Sequence, residues 1–200
     1  MKDSMLMLGF FVLGILLSAF DILPDVVLEN DFSTYALYAL MFLVGIGIGM
    51  DETARRSVLM VQPKILLVPL SVVLGTLLGV GLVSFTLANV PLREALAVGA
   101  GFGYYSLSSI FISELSGEVM GVIALISNII REVSTLVIAP FLVRYFGKLA
   151  AISSGGATSM DSTLPAIVRS TGKDYAIIAI FNGIVLSVAV PFLVSFILKF

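Results

Sequence analysis

The segment Ser153-Ser154-Gly155-Gly156-Ala157-Thr158-Ser159-Met160-Asp161-Ser162-Thr163-Leu164-Pro165 gathers glycines, hydroxyl side chains, a carboxylate and a proline between two apolar runs. Facing lipid, its backbone amides would go unpaired at several kcal/mol each. Such a segment must therefore be buried in protein or line a wet cavity. A helix unwound near mid-bilayer, with half-helix ends facing a polar ligand, is how many secondary transporters build a binding site. A surface loop between two short helices is the plainer alternative. Asp161 argues against it, because an ionisable group at membrane depth is a functional candidate by default. Gly156, Thr158, Ser159 and Asp161 are the candidates here.

A second stretch has the same character. Gly99-Ala100-Gly101-Phe102-Gly103-Tyr104-Tyr105-Ser106-Leu107-Ser108-Ser109 places glycine at every second position and then a polar cluster. In a helix each glycine costs about 1 kcal/mol against alanine. The cost is tolerable where backbones cross, or where carbonyls turn toward a ligand; tight packing alone is the alternative. Gly101, Gly103, Tyr105, Ser106 and Ser108 are candidate lining groups, with Tyr104 beside them.

Between these stretches, Asn128 stands three and four residues before Arg131 and Glu132, so the three project from overlapping faces of one helix. Successive helical residues point about 100° apart, so Arg131 and Glu132 cannot simply neutralise each other. Arg131 needs a partner elsewhere, and Asp161 is the expected one. A structural ion pair locking two helices is the alternative reading.

The rest of the chain must position these groups in a membrane. Of 200 residues, 59% are hydrophobic and 12% charged, and the mean hydropathy is +1.14. A soluble domain carries roughly 25% charged residues. Long apolar runs containing Gly and Pro suit helices and not the alternating segments of a barrel. The expectation is an all-α, polytopic transmembrane bundle forming a single integral-membrane domain. It has about seven elements, near 5–20, 32–50, 65–88, 93–113, 119–146, 149–169 and 175–198, the fourth and sixth of them broken. Gly45 with Gly49, and Gly75 with Gly79, offer small faces for helix contact. Asp51 reads as interfacial, and the span at 65–88 shows nothing chemical.

Basic residues set the orientation. With every element crossing, Lys2, Arg55, Arg56, Lys64, Arg169 and Lys173 fall on one side and Arg93, Arg144, Lys148 and Lys199 on the other. The positive-inside rule then puts the amino terminus in the cytoplasm. The net charge of −2 and the lack of a basic patch give no sign of nucleic acid. With no Cys and no His, disulfides, thiol catalysis and histidine relays are excluded. No P-loop, nucleophile–base set or cofactor motif is visible, so enzyme activity is not expected. Transport would be driven by an ion gradient or by the substrate's own.

Three motifs in this order resemble the bacterial lysine exporter family (LysO-type). They are Gly101–Ser108, the trio Asn128, Arg131 and Glu132, and Gly156–Pro165, and the similarity runs from about Tyr35 to the end. The resemblance implies export of L-lysine across the cytoplasmic (inner) membrane, with protons as the exchanged ion, and an essential role for Asp161. Typical family members are longer at the amino terminus by roughly three spans, which carry a second important acid, and inverted-repeat transporters pair their spans. A small separate membrane protein, a homodimer or a naturally reduced transporter would account for the difference.

On that reading, half-helix amino termini hold the lysine carboxylate, while Asp161 and Glu132 take the ammonium groups. Proton and cation would compete for Asp161, the simplest antiport scheme. The tyrosines and serines of the first stretch would line the cavity. A sodium-coupled organic-anion carrier and a membrane assembly subunit that transports nothing are the rival functions.

Overall fold

The computed structural model describes residues 63–87 and 90–200, with isolated positions between 13 and 52. Apart from those positions, the expected elements at 5–20 and 32–50 lie outside the described residues, as do Asp51, Arg55 and Arg56. The chain divides into two compact units, Met1–Ala39 and Leu40–Phe200. All elements below belong to the second.

Among the described residues the fold is entirely helical. A 3-10 turn at Pro63–Leu66 leads into α1 (Leu67–Ser84), followed by α2 (Leu92–Gly99), α3 (Tyr105–Ser116) and α4 (Glu118–Phe146). Next come α5 (Lys148–Gly155), a 3-10 turn at Gly156–Met160, α6 (Leu164–Thr171), a short turn at Lys173–Tyr175 and α7 (Ala176–Lys199). Leu67–Ser84, Glu118–Phe146 and Lys173–Lys199 are long and apolar enough to cross a membrane. Two of these spans turn apolar residues outward. Leu70, Leu74, Leu78 and Leu82 recur every fourth position along one exposed face of α1, and Val122, Ile126, Ile130 and Val133 are likewise exposed on α4. The third span is the inner one, with Ala179, Asn182, Leu186, Val190 and Val194 of α7 fully buried.

The shorter helices cannot cross. Eight residues, the length of α2, α5 and α6, rise about 12 Å, against a hydrocarbon core of about 30 Å. Instead they fold back. Lys148, at the start of α5, sets its ammonium 4.8 Å from the ring of Tyr175, just before α7. Ile152 of α5, Ile167 of α6, Ala179 of α7 and Ala139 of α4 share one buried cluster. α5 and α6 therefore form a hairpin that enters and returns at the edge where α4 ends and α7 begins.

The opposite edge repeats the arrangement. Arg93, in the first turn of α2, donates from Nε to the Ile197 carbonyl at 2.8 Å and from Nη2 to that of Leu198. This places the start of α2 at the end of α7. α3 packs along α4 and joins it through the single residue Gly117. α2 and α3 are thus a second hairpin, entering from the edge opposite the first.

One sequence expectation is corrected by this. A crossing at every element sets Arg144 and Lys148 opposite Arg169 and Lys173, yet all four sit at the same edge. A break in a helix reads alike whether the chain continues across or turns back, and the packing of Lys148 and Ile152 decides it. The result is a span followed by a hairpin, α1 with α2–α3, and then the same order upside down, α4 with α5–α6. Inverted repeats of this sort are a common plan in secondary transporters.

Candidate functional site

The two hairpin tips meet. After Gly99 the backbone makes tight turns, with Gly101 N–H donating to Val98 at 3.2 Å and Tyr104 N–H to Gly101 at 2.7 Å. Phe102, fully buried, takes φ 46°, a left-handed conformation that costs a non-glycine residue about 1–2 kcal/mol. Its carbonyl accepts the Ala157 N–H at 2.8 Å, from the tip of the other hairpin. Gly156 has φ 61°, and a Cβ there would collide with the Phe102 carbonyl oxygen and lie 3.1 Å from Nη2 of Arg131. Only glycine fits.

Asn128 holds the first tip to α4. Its Oδ1 accepts from Gly103 N–H at 2.7 Å, and its Nδ2 donates to Val98 at 3.2 Å and to Ala124 at 2.9 Å. A Cβ on Gly101 would lie 2.6 Å from that Nδ2 and 2.7 Å from Oγ of Ser108. Ser108 is buried with its hydroxyl unpartnered in the protein. Tyr105 is half-buried and Ser106 exposed in the first turn of α3.

The second tip is held to α7. The Thr158 hydroxyl donates to Gly155 at 2.8 Å and lies 3.3 Å from that of Thr163. The Ser159 hydroxyl is 2.7 Å from the carbonyls of both Gly156 and Ala179. Asn182 of α7 donates to Gly156 at 2.9 Å and to Ser159 at 3.0 Å. Thr158 and Ser159 are buried here, holding the tip in shape.

Arg131 does not pair with Asp161. Its Nε donates to Ser154 at 3.0 Å, Nη2 to Ser153 at 3.1 Å and Nη1 to the Thr76 hydroxyl at 3.3 Å. Both carbonyls belong to the last turn of α5, where helical carbonyls lack intrahelical partners and the dipole is negative. The guanidinium therefore caps the helix that ends at the tip. Thr135 adds a bond of 2.7 Å to the Ser154 hydroxyl.

Asp161 lies where the tip turn runs into α6. Its Oδ1 accepts from Ser162 N–H at 2.5 Å and lies 3.3 Å from the Ser162 hydroxyl. The side chain is exposed. The sequence leads one to expect burial within this chain, and exposure beside the meeting point of the tips is the finding. Because α6 rises about 12 Å, Asp161 stands about that far from the edge at which α6 ends. Glu132 is half-buried on α4, one position beyond Arg131.

The structure thus brings together Gly101, Gly103, Asn128, Arg131, Gly156 and Thr158, and leaves Asp161, Ser106 and Glu132 at the margin. Sequence reasoning passed over Thr76, Phe102 and Asn182. Asn182 had a signal, a lone amide in an apolar span. Thr76 had none, since one threonine in a span is ordinary.

The sequence is similar to known proteins over most of its length. It is 37% identical over 164 residues to the "Lysine exporter LysO" of Escherichia coli, covering 82% of this chain and 54% of that protein. It is 32% identical over 171 residues to a "Putative lysine exporter" of Haemophilus influenzae, covering 86% of each. The chain thus spans about half the length of the Escherichia coli relative. No solved structure matches it. The profile of the family described as "Lysine exporter LysO" matches residues 8–198, and the chain belongs to that family.

Proposed function

We propose that this membrane protein exports L-lysine across the bacterial cytoplasmic membrane in exchange for protons, with Asp161 as the titrating group. The observation that carries the reading is the junction of two hairpin tips from opposite edges, with a carboxylate beside it. Each tip is an expensive backbone defect, and each satisfies the other through the Ala157–Phe102 bond. A junction of this kind can be exposed to either side by small movements of one repeat against the other. Family membership and the names of the two relatives point to lysine.

In this scheme a proton and the lysine ammonium compete for Asp161. Protonated, the side chain releases lysine; ionised, it attracts the cation. Glu132 supplies a second carboxylate for the other ammonium group. Gly101, Gly103, Tyr105, Ser106 and Ser108 shape the first tip, and Gly156, Thr158 and Ser159 the second.

Orientation follows from charge. Arg144, Lys148, Arg169 and Lys173 cluster at the edge of the α5–α6 hairpin, and Arg93 and Lys199 at the other. By the positive-inside rule the α5–α6 edge is cytoplasmic. An exposed carboxylate at membrane depth needs water or protein around it. A second copy of the chain would cover Asp161 and complete the site.

The test is lysine flux in inside-out membrane vesicles from a host without its own exporter. A pH gradient, acid inside, should drive labelled lysine inward without sodium, and a protonophore should collapse the uptake. Flux that requires sodium, or that ignores the pH gradient, would reject the antiport.

A further inference from the structure

We propose that Arg131 is the binding group for the α-carboxylate of the transported amino acid; this rests on the lysine-export reading and adds a subsite to it. Arg131 stands midway along α4, at membrane depth, where a cation needs an anion or water. Among the described residues no carboxylate pairs with it. Its bonded partners are two carbonyls and a hydroxyl. The carboxyl end of α5 offsets about half a charge, and three of the five guanidinium N–H groups are used. Positive charge and donors remain for a ligand.

The space around it suits one. A cavity of about 260 Å³ lies between α1, α2 and α4, with Val80, Val98, Ile123 and Ser127 in its wall and Thr76 and Arg131 among its lining. A shallower, open groove of about 410 Å³ runs over α1, α4 and α5, bordered by Val72, Leu142, Phe146 and Ala150. Thr76 borders both, and Ser153 and Ser154, to which the guanidinium is bonded, border the second. The first lies toward the α2–α3 edge and the second toward the α5–α6 edge. The Arg131–Thr76 contact is therefore the partition between two spaces that approach from opposite edges.

An apolar space ending on a guanidinium repels a diamine and attracts a carboxylate. Free lysine carries one carboxylate and two ammonium groups. By binding that carboxylate, Arg131 selects amino acids over polyamines. A planar fork donor holds a carboxylate by two parallel bonds, which lysine at this position would not reproduce.

The test compares lysine, L-lysinamide and 1,5-diaminopentane as competitors of labelled lysine flux in inside-out vesicles carrying the full chain. Hydrogen bonds to a charged group give a preference of at least about tenfold for lysine over either analogue. Arg131→Gln should bring the preference below about twofold, and Arg131→Lys should keep part of it. Equal competition by all three compounds on the unaltered chain would overturn the proposal without needing any variant. So would a preference that survives Arg131→Gln. If unaltered vesicles move no lysine, the export reading itself fails and the subsite with it. If lysine moves without discrimination, only the subsite fails.

Discussion

The amide of Ala157 donates a 2.8 Å hydrogen bond to the carbonyl of Phe102, and this one bond joins the tips of two hairpins entering from opposite edges. Phe102 is held left-handed to present that carbonyl, and Gly156 lacks a side chain so that the tips can touch. The contact is built from backbone, and side chains from α4 and α7 brace it on either flank.

Gly156→Ala should therefore be far worse than its size suggests. Left-handed strain of about 1–2 kcal/mol and a displaced hydrogen bond of about 1 kcal/mol add to roughly 2–3 kcal/mol. Gly75→Ala is the control, since a Cβ there meets nothing within 4 Å. It should leave stability unchanged or raise it by up to about 1 kcal/mol. Thermal melting of the purified protein in detergent, both variants side by side, checks the contrast.

Asn128→Leu removes the brace on the first tip. Gly103 N–H loses its partner, at about 1–3 kcal/mol for a buried group left unsatisfied, while the Val98 carbonyl keeps the Gly101 N–H. The melting temperature should fall, and lysine flux should fall with it even at temperatures where the protein stays folded. Full flux in a folded Asn128→Leu protein would mean that the tip does not depend on this amide.

The interruptions were legible in the sequence because glycine pairs, hydroxyl runs and Pro165 are poor helix formers wherever they sit. Their reversal was not legible. Whether the chain crosses or turns back depends on Ile152 meeting Ile167 and Lys148 meeting Tyr175, contacts between residues 15 and 27 positions apart by their numbers. The partner of Arg131 was hidden for a related reason. Reading charges alone points Arg131 to Asp161, while the orphan carbonyls of Ser153 and Ser154 exist only because α5 ends at Gly155. Asn128 belongs to a different motif from Gly101 and Gly103, and the fold gathers the three into one set of contacts.

The hairpin topology has a labelling test, and the chain contains no cysteine to interfere. Lys148→Cys and Lys173→Cys, made separately, should both react with a membrane-impermeant thiol reagent from the cytoplasmic side. Phe200→Cys should react from the outside. If the α5–α6 segment crossed the membrane, the first two would label from opposite sides.

The central claim is that Asp161, beside the junction of the tips, exchanges a proton for lysine. Asp161→Asn keeps the shape and removes the titrating charge. The direct measurement is labelled lysine uptake by inside-out vesicles under a pH gradient, at matched protein content in the membrane. The account predicts uptake with the unaltered chain and none with Asp161→Asn. Undiminished, gradient-driven uptake by the variant would contradict it.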